Sequence, residues 1–504
     1  MVSTTYSEEK LLQEKCGIVT LYAKNATNQL KPALLAAIGV QHRGTHGAGV
    51  AYKTDSKAYK YTDSGLIHEV FTPNVVKKLS QKSKWLIFHT RYGTNGGYSK
   101  KNIQPCTIKT KDGDELAIAH NGEFVGLINY FKLHKLPVLK NVSDTYLFTY
   151  LLSKAKGANW KEKVLSTLDK VTGAYSVVIG INNDIFIARD PHGIRPLIIG
   201  KMRGQWMIAS ETHAFDKVGA KVMREVKRGE VLYFHNGNMT VIRHGEKKPK
   251  HFCDFEWAYF GRPDSLLPPN GEGDKPSEWL SVSRFREQCG QELAKEIIIQ
   301  NATFMVGVPD SGVPFAMGYA TGSKMRYIQA IVRDHYDPHG KQRLFMRDDQ
   351  MKRIRKKVLG KLSLIPDKRI WKDAIVVIGD DSIIRGNVSE QLTKAIFAMG
   401  AKEVHWIIGY PPVIKRCHLG VSIRTEEELI AARNKGDVDK IAKEIGATSI
   451  HYIQPDMFIR ARLENAKLTK PQNPQDIFLA NGGCGGCTNG RYPIDRDGNY
   501  TNIV

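Results

Sequence analysis

Cysteine is scarce here: seven in 504 residues, far below the density of a disulfide-stapled secreted scaffold. Long apolar runs are missing too. No stretch approaches the roughly 20 residues that cross a bilayer. Met1 to Lys15 has no apolar core of the kind a secretory signal needs, so a cytoplasmic location is expected by default. Internal repeats, zinc-finger spacings and nucleic-acid recognition motifs are absent, which disfavours a dedicated nucleic-acid binder. Acidic residues are short: 51 Asp and Glu against 74 Lys and Arg give a formal charge of +23. That excess favours anionic partners, phosphorylated substrates among them. Its densest cluster runs from Lys341 to Lys361, where a solvated helix face and an anion site are both open readings.

The composition that remains, 41% hydrophobic and 25% charged, is that of a globular chain, and its length suggests roughly two to four domains. After the polar leader 1–15, residues 16–250 read as short strands and Gly-rich turns with few helices. Strands are expected at Cys16–Ala23, Trp85–His89, Leu116–Ala119, Tyr175–Ile181 and Ile185–Arg189, and helices at Leu30–Gln41 and Asp144–Lys154. From 251 to 470 helix and strand alternate. A helix is expected at Glu278–Ile299. Strands at Phe304–Val308, Tyr327–Val332, Ala374–Ile378, Val404–Ile408 and Ser449–Ile453 would make a parallel sheet. Residues 471–504 form a loop-like tail. The fold class is α+β followed by α/β.

The run Ile375-Val376-Val377-Ile378-Gly379-Asp380-Asp381-Ser382 carries the clearest chemistry. Four apolar residues without alternation indicate a strand buried on both faces. It ends in two adjacent carboxylates at the sheet edge where open α/β folds bind ligands. The loop through Arg385 and Gly386 to Ser389 then opens a helix, whose amides suit a phosphate. Carboxylates for hydroxyls and Mg²⁺, beside amides for phosphate, suit a sugar phosphate. The stretch resembles the phosphoribosyl-diphosphate (PRPP) loop of class I phosphoribosyltransferases. On that resemblance Asp310-Ser311-Gly312, after a strand, is the pyrophosphate loop. Asp380, Asp381, Ser382, Arg385, Gly386 and Ser389 complete the PRPP site, with Ser311, Asp380 and Asp381 around Mg²⁺.

A second set lies near the start. Cys16-Gly17 opens the first strand, Gln41-His42-Arg43-Gly44 follows a helix, and His89-Thr90-Arg91 ends a strand. His120-Asn121-Gly122 ends another, and Ser143-Asp144 caps a helix. In this order they resemble class II glutamine amidotransferases, whose fold is the N-terminal-nucleophile αββα sandwich. The resemblance makes Cys16 the nucleophile and its own α-amine the base. Asn121 and the Gly122 N–H would hold the oxyanion. Arg91 would bind the glutamine carboxylate and Asp144 its ammonium. Removal of residues 1–15 is then expected.

Together with Arg189-Asp190-Pro191-His192-Gly193-Ile194-Arg195 and Ala209-Ser210-Glu211, these segments resemble the amidophosphoribosyltransferase family over roughly residues 16–493. That implies glutamine and PRPP as substrates, phosphoribosylamine as product, purine-nucleotide inhibitors and a homotetramer. It implies no specific nucleic acid and no membrane. Cys253, Cys417, Cys484 and Cys487 resemble the subset with a propeptide and a four-Cys [4Fe–4S] site; zinc also fits four thiolates. Cys106 and Cys289 read as ordinary buried cysteines. The chain departs from the family at Thr45-His46, at Asn387-Val388, at Arg333-Asp334-His335-Tyr336 and at Arg343-Leu344-Phe345-Met346. The last three, on the PRPP side, leave open a different phosphorylated acceptor, or a PRPP- or nucleotide-sensing regulator.

Overall fold

The computed structural model describes residues 16–92, 100–137, 142–245, 248–269, 275–333, 362–421, 423, 425–464 and 467–501. Among the described residues the first half is built from thirteen strands: β1 Gly17–Asn28, β2 Gly47–Lys53, β3 Ala58–Ser64, β4 Lys82–Arg91, β5 Cys106–Lys109, β6 Glu115–Glu123, β7 Ala174–Ile181, β8 Asp184–Arg189, β9 Ile198–Met202, β10 Gln205–Ala209, β11 Lys221–Glu225, β12 Val231–His235 and β13 Asn238–Arg243. They form a 7-stranded sheet, order β11-β9-β10-β1-β4-β2-β3, and a 6-stranded sheet, order β13-β12-β8-β7-β6-β5.

Strand alternation explains the layering. In β1, Ile18 and Tyr22 enter the core between the sheets, while Val19 and Leu21 pack outward with helix Leu30–Ile38. In β4, Trp85 and Ile87 face the other sheet, and Leu86 and Phe88 face outward. In β6, Ala117 and Ala119 face the gap, and Leu116 and Ile118 meet Leu147 and Phe148 of helix Asp144–Ser153. The result is an αββα sandwich.

The second half centres on four parallel strands in the order Phe304–Gly307, Ile375–Asp380, Glu403–Ile408, Ser449–Tyr452. Ile375–Asp380 is central. Val376 and Ile378 fill one core and Val377 the other, so the strand is covered on both faces. Helices Gly312–Ser323 and Asn387–Ala398 leave the carboxyl ends of the first two strands.

Two expectations change. Tyr327–Val332 does not join this sheet as a strand. Only a bridge from Met305 to Tyr327 forms, and Ile331–Arg333 pairs antiparallel with Leu362–Leu364. Val332 is exposed, so the run lacks the two apolar faces a buried parallel strand needs. The helix expected at Glu278–Ile299 is shorter, Val282–Ala294. Ser281 caps it by accepting the Arg284 N–H at 3.1 Å, while Leu280–Ser281 pairs with Leu266–Leu267. Phe252–Cys253 pairs in parallel with Gly483–Cys484 of the tail, and the Cys253 N–H donates to Ile194 O of the first half at 3.2 Å. Arg462 bonds Asn481 O at 2.6 Å and lies 3.1 Å from Asp254 in the same buried region.

Candidate active sites

Carrying the alternation of β1, β4 and β6 one step further puts Cys16, Arg91 and Asn121 on the face between the sheets. The register agrees: Gly17 lies opposite Thr90, and Gly47 opposite Arg91. The Cys16 thiol lies 3.9 Å from Tyr92 O. Thr90 Oγ1 accepts the Gly17 N–H at 3.1 Å, and Ser210 Oγ accepts the Ile18 N–H at 3.0 Å. Burial raises the thiol pKa, and the Tyr92 carbonyl contact and the Arg91 guanidinium oppose that rise. Burial lowers the pKa of Arg91, against Cys16, Cys106 and Asp144.

Asn121 is fully buried, and both its amide atoms lack a hydrogen-bond partner among the described residues. A buried amide left unbonded costs about 1–3 kcal/mol. Gly122 follows with φ +132, and a Cβ there would lie 1.8 Å from Ala174 O. Only glycine lets β6 approach β7 this closely. Asp144 begins a helix capped by Ser143. Its oxygens accept the Phe124 N–H at 3.0 Å and the Thr145 N–H at 2.8 Å. His120, one residue out of phase with Asn121, stacks on Phe124 and touches Thr145 Oγ1 at 3.3 Å.

The second cluster lies at the carboxyl end of the parallel sheet. Asp380 is half-buried and Asp381 is buried. Burial and the neighbouring Asp381 push the Asp380 pKa well up. Burial also raises Asp381, opposed by Arg286, Ser311 and Ser382. Ser382 Oγ donates to Asp381 at 2.6 Å. Gly312 opens the neighbouring helix so close that a Cβ would meet Gly379 O at 2.7 Å and Asp380 Oδ1 at 3.0 Å. Asp310 is exposed, and Arg333 pairs with it at 3.0 Å. Gly386, with φ +88, caps helix Asn387–Ala398, and Ser389 is buried in its first turn. Arg385 is paired with Glu428. The departures at Asp334 to Tyr336 and residues 343–346, and the basic cluster Lys341 to Lys361, lie outside the described residues.

The third cluster gathers Cys253, Cys417, Cys484 and Cys487 around one small, largely apolar cavity also lined by Phe255 and Tyr492. Burial raises the Cys253 thiol to about 12 and lifts those of Cys484 and Cys487 further. The chain holds the thiols in place by backbone: Cys253 is in register with Cys484, and Cys487 O accepts from the Ile414 and Lys415 N–H groups. Among the described residues no three His, Cys, Asp or Glu side chains are placed to hold a single ion. Cys106 and Cys289 are buried elsewhere.

Sequence reasoning passed over Arg286. It is buried on helix Val282–Ala294, donates to Trp257 O and Gly261 O at 3.1 and 2.8 Å, and acts electrostatically on Asp381. The available signal was an arginine beside Phe285 on the apolar face Val282, Phe285, Cys289, Leu293. His89 belongs to the same inter-sheet layer, and burial, then Arg91, holds its pKa down at about 3, so it is neutral.

Residues 89–217 match a family model described as a glutamine amidotransferase domain. The chain is similar to the amidophosphoribosyltransferase of Bacillus subtilis (strain 168), 31% identical over 497 residues, 97% of this chain and 96% of that protein. The Mus musculus protein of the same name is 31% identical over 97% of this chain and 99% of its own length. That of Methanocaldococcus jannaschii is 32% identical over 95% and 98%. A solved structure, the glutamine PRPP amidotransferase from B. subtilis complexed with ADP and GMP, matches with TM-score 0.81 at 29% identity. It covers 97% of this chain and 99% of that one. No helix among the described residues is long and apolar enough to cross a membrane.

Proposed function

Because the chain belongs to the amidophosphoribosyltransferase family, we propose that ammonia freed at Cys16 is used at the Asp380–Asp381 site. The reaction converts PRPP, glutamine and water to 5-phosphoribosylamine, glutamate and pyrophosphate, the first step of purine biosynthesis. The observation that carries the assignment of roles is the convergence of Cys16, Arg91 and Asn121 on one inter-sheet face, paired with adjacent carboxylates, Asp380 half-buried and Asp381 buried, at a parallel strand end.

In this reading Arg91 pairs with the glutamine α-carboxylate and Asp144 with its ammonium. The Cys16 α-amine, freed when residues 1–15 are removed, takes the thiol proton. The sulfur attacks the side-chain carbonyl carbon. Asn121 Nδ2 and the Gly122 N–H receive the oxyanion, ammonia departs, and water hydrolyses the thioester. In the second site the Asp310–Gly312 loop holds the diphosphate, and Ser382–Ser389 with the helix N-terminus hold the 5-phosphate. Asp380 and Asp381 take the ribose hydroxyls. Ammonia attacks C1 and pyrophosphate leaves.

Two adjacent carboxylates with the Ser311 and Ser382 hydroxyls fit Mg²⁺, which binds through one or two carboxylates and substrate oxygens rather than a closed protein cage. Ser311, Asp380 and Asp381 would hold it, and it would neutralise charge on the leaving pyrophosphate. Four thiols spread around a cavity, with no three meeting at one point, suit a [4Fe–4S] cluster better than one zinc ion. Its role would be structural. Purine nucleotides are the expected inhibitors, supported by the ADP and GMP in the related structure, and a homotetramer is the expected assembly. Family membership over the whole length favours PRPP over another acceptor and over a sensor.

The test is phosphoribosylamine formation from glutamine, PRPP and Mg²⁺ by anaerobically purified protein whose N-terminus has been mapped. Turnover by chains beginning at Cys16 supports the reading. Turnover by chains that retain Met1–Lys15 refutes the amine as base.

A further inference from the structure

Arg43 lies in the Gln-His-Arg-Gly motif but touches no expected substrate atom. Its guanidinium is fully enclosed, and each nitrogen has a partner. Nη1 donates to Glu211 Oε1 at 2.6 Å and Glu256 Oε2 at 3.0 Å, and Nη2 to Glu256 Oε1 at 2.9 Å. Nε donates to the carbonyl oxygen of Cys16 at 3.4 Å. Arg195 donates to the same Glu256 oxygen at 3.1 Å and to Leu419 O at 2.7 Å. Glu211 also accepts from Ser265 Oγ at 2.7 Å and the Arg262 N–H at 3.1 Å. The side chains of Arg43, Glu211, Arg195 and Glu256 are at most 1% exposed. The core of the network holds two cations and two anions. Burial would lower the Arg43 pKa, but Glu256 and Glu211 outweigh it, so the guanidinium stays charged.

Glu256 comes from the other half of the molecule, on the short turn Glu256–Phe260 just after the Phe252–Cys253 strand. With Glu211, its carboxylate supplies the counter-charge that aims Arg43 at Cys16. Holding the Cys16 carbonyl fixes rotation about its Cα–C bond, which carries the α-amine and the thiol together, and so fixes where both stand relative to Arg91 and Asn121. A nucleophile and base on one residue meet the substrate through that shared torsion.

We propose that Glu256 is a positioning residue for the glutaminase reaction, acting through Arg43 on the backbone of Cys16. The residue thereby couples the geometry of the first active site to the docking of the second half. The idea rests on Cys16 being the nucleophile, which Cys16→Ala tests separately: that variant should release no glutamate and still make phosphoribosylamine from ammonia.

The experiment compares Glu256→Gln and Arg43→Lys in the full processed chain. Glu256→Gln keeps shape and removes charge. Arg43→Lys keeps charge and removes the Nε bond to Cys16. Both should lower kcat for glutamate release about ten- to a hundredfold, the scale of a small misplacement of reacting groups. KM for glutamine and ammonia-dependent synthesis should stay within about twofold. Unchanged kcat in either variant overturns the proposal. So does a raised KM at constant kcat, which would make the network a substrate-binding device. Parallel loss of both activities in both variants would make it merely structural, and also overturns it.

Discussion

Asn121 should trade stability for catalysis, and Asn121→Ala should separate the two. Its amide is sealed between the sheets with neither atom hydrogen-bonded among the described residues. Leaving such a group unbonded costs about 1–3 kcal/mol. Truncation removes that cost, and the small void it leaves takes back about 1 kcal/mol. The net is between zero and about 2 kcal/mol of stabilisation. At roughly 2–4 °C per kcal/mol for a unit of this size, Tm should hold or rise by a few degrees. Activity should move the other way. Loss of one oxyanion donor costs about 10²–10³ in kcat. Thermal unfolding is measured beside glutamate release and ammonia-dependent synthesis. The expected result is a kcat loss confined to glutamate release, with KM for glutamine little changed. A fall in Tm of more than about 4 °C, or glutaminase kcat within about threefold of the parent, would refute the reasoning.

Asp381→Asn relieves repulsion with Asp380, so unfolding should shift to higher temperature while PRPP turnover falls at least about 10²-fold and glutamate release persists; retained turnover would remove Asp381 from the site. His89 is neutral when folded, with a pKa near about 3, against about 6.5 unfolded. The unfolded chain therefore binds the proton first, and stability falls as pH drops from 6.5 towards 3, by about 2 kcal/mol at pH 5. His89→Gln should flatten the decline of Tm between pH 7 and pH 5; an unchanged slope would mean other groups set it. Serine at Cys253, Cys417, Cys484 or Cys487 should strip iron and sulfide from anaerobically prepared protein, while Cys106→Ser and Cys289→Ser should not. Stoichiometric zinc without iron in the parent protein would reject the cluster.

Cys16, Arg91 and Asn121 stood out in the sequence through the order of short motifs that resemble class II glutamine amidotransferases, not through periodicity. That they share one face follows by period two only once Ile18, Ile87 and Ala119 are known to face inward. The Asp380–Asp381 couple was legible by pattern, since an unbroken apolar run announces a strand buried on both sides. The Arg43–Glu256 pair was not, because its partners stand 213 residues apart and no periodicity links them. Arg286 hid within an amphipathic pattern, where one arginine on the apolar face reads as noise. Tyr327–Val332 misled because strand propensity does not say which partner a strand will find.

The pairing of Phe252–Cys253 with Gly483–Cys484 also sets an order on synthesis. The sandwich can close as it leaves the ribosome, since all its strands precede residue 244. The seam beside it must wait for a strand made roughly 230 residues later. Until translation nears its end, the seam surfaces around Cys253 and Phe255 stay uncovered. A ribosome that stalls shortly before residue 483 therefore leaves a chain with a finished first sandwich and an open flank, a natural substrate for chaperone capture or proteolysis.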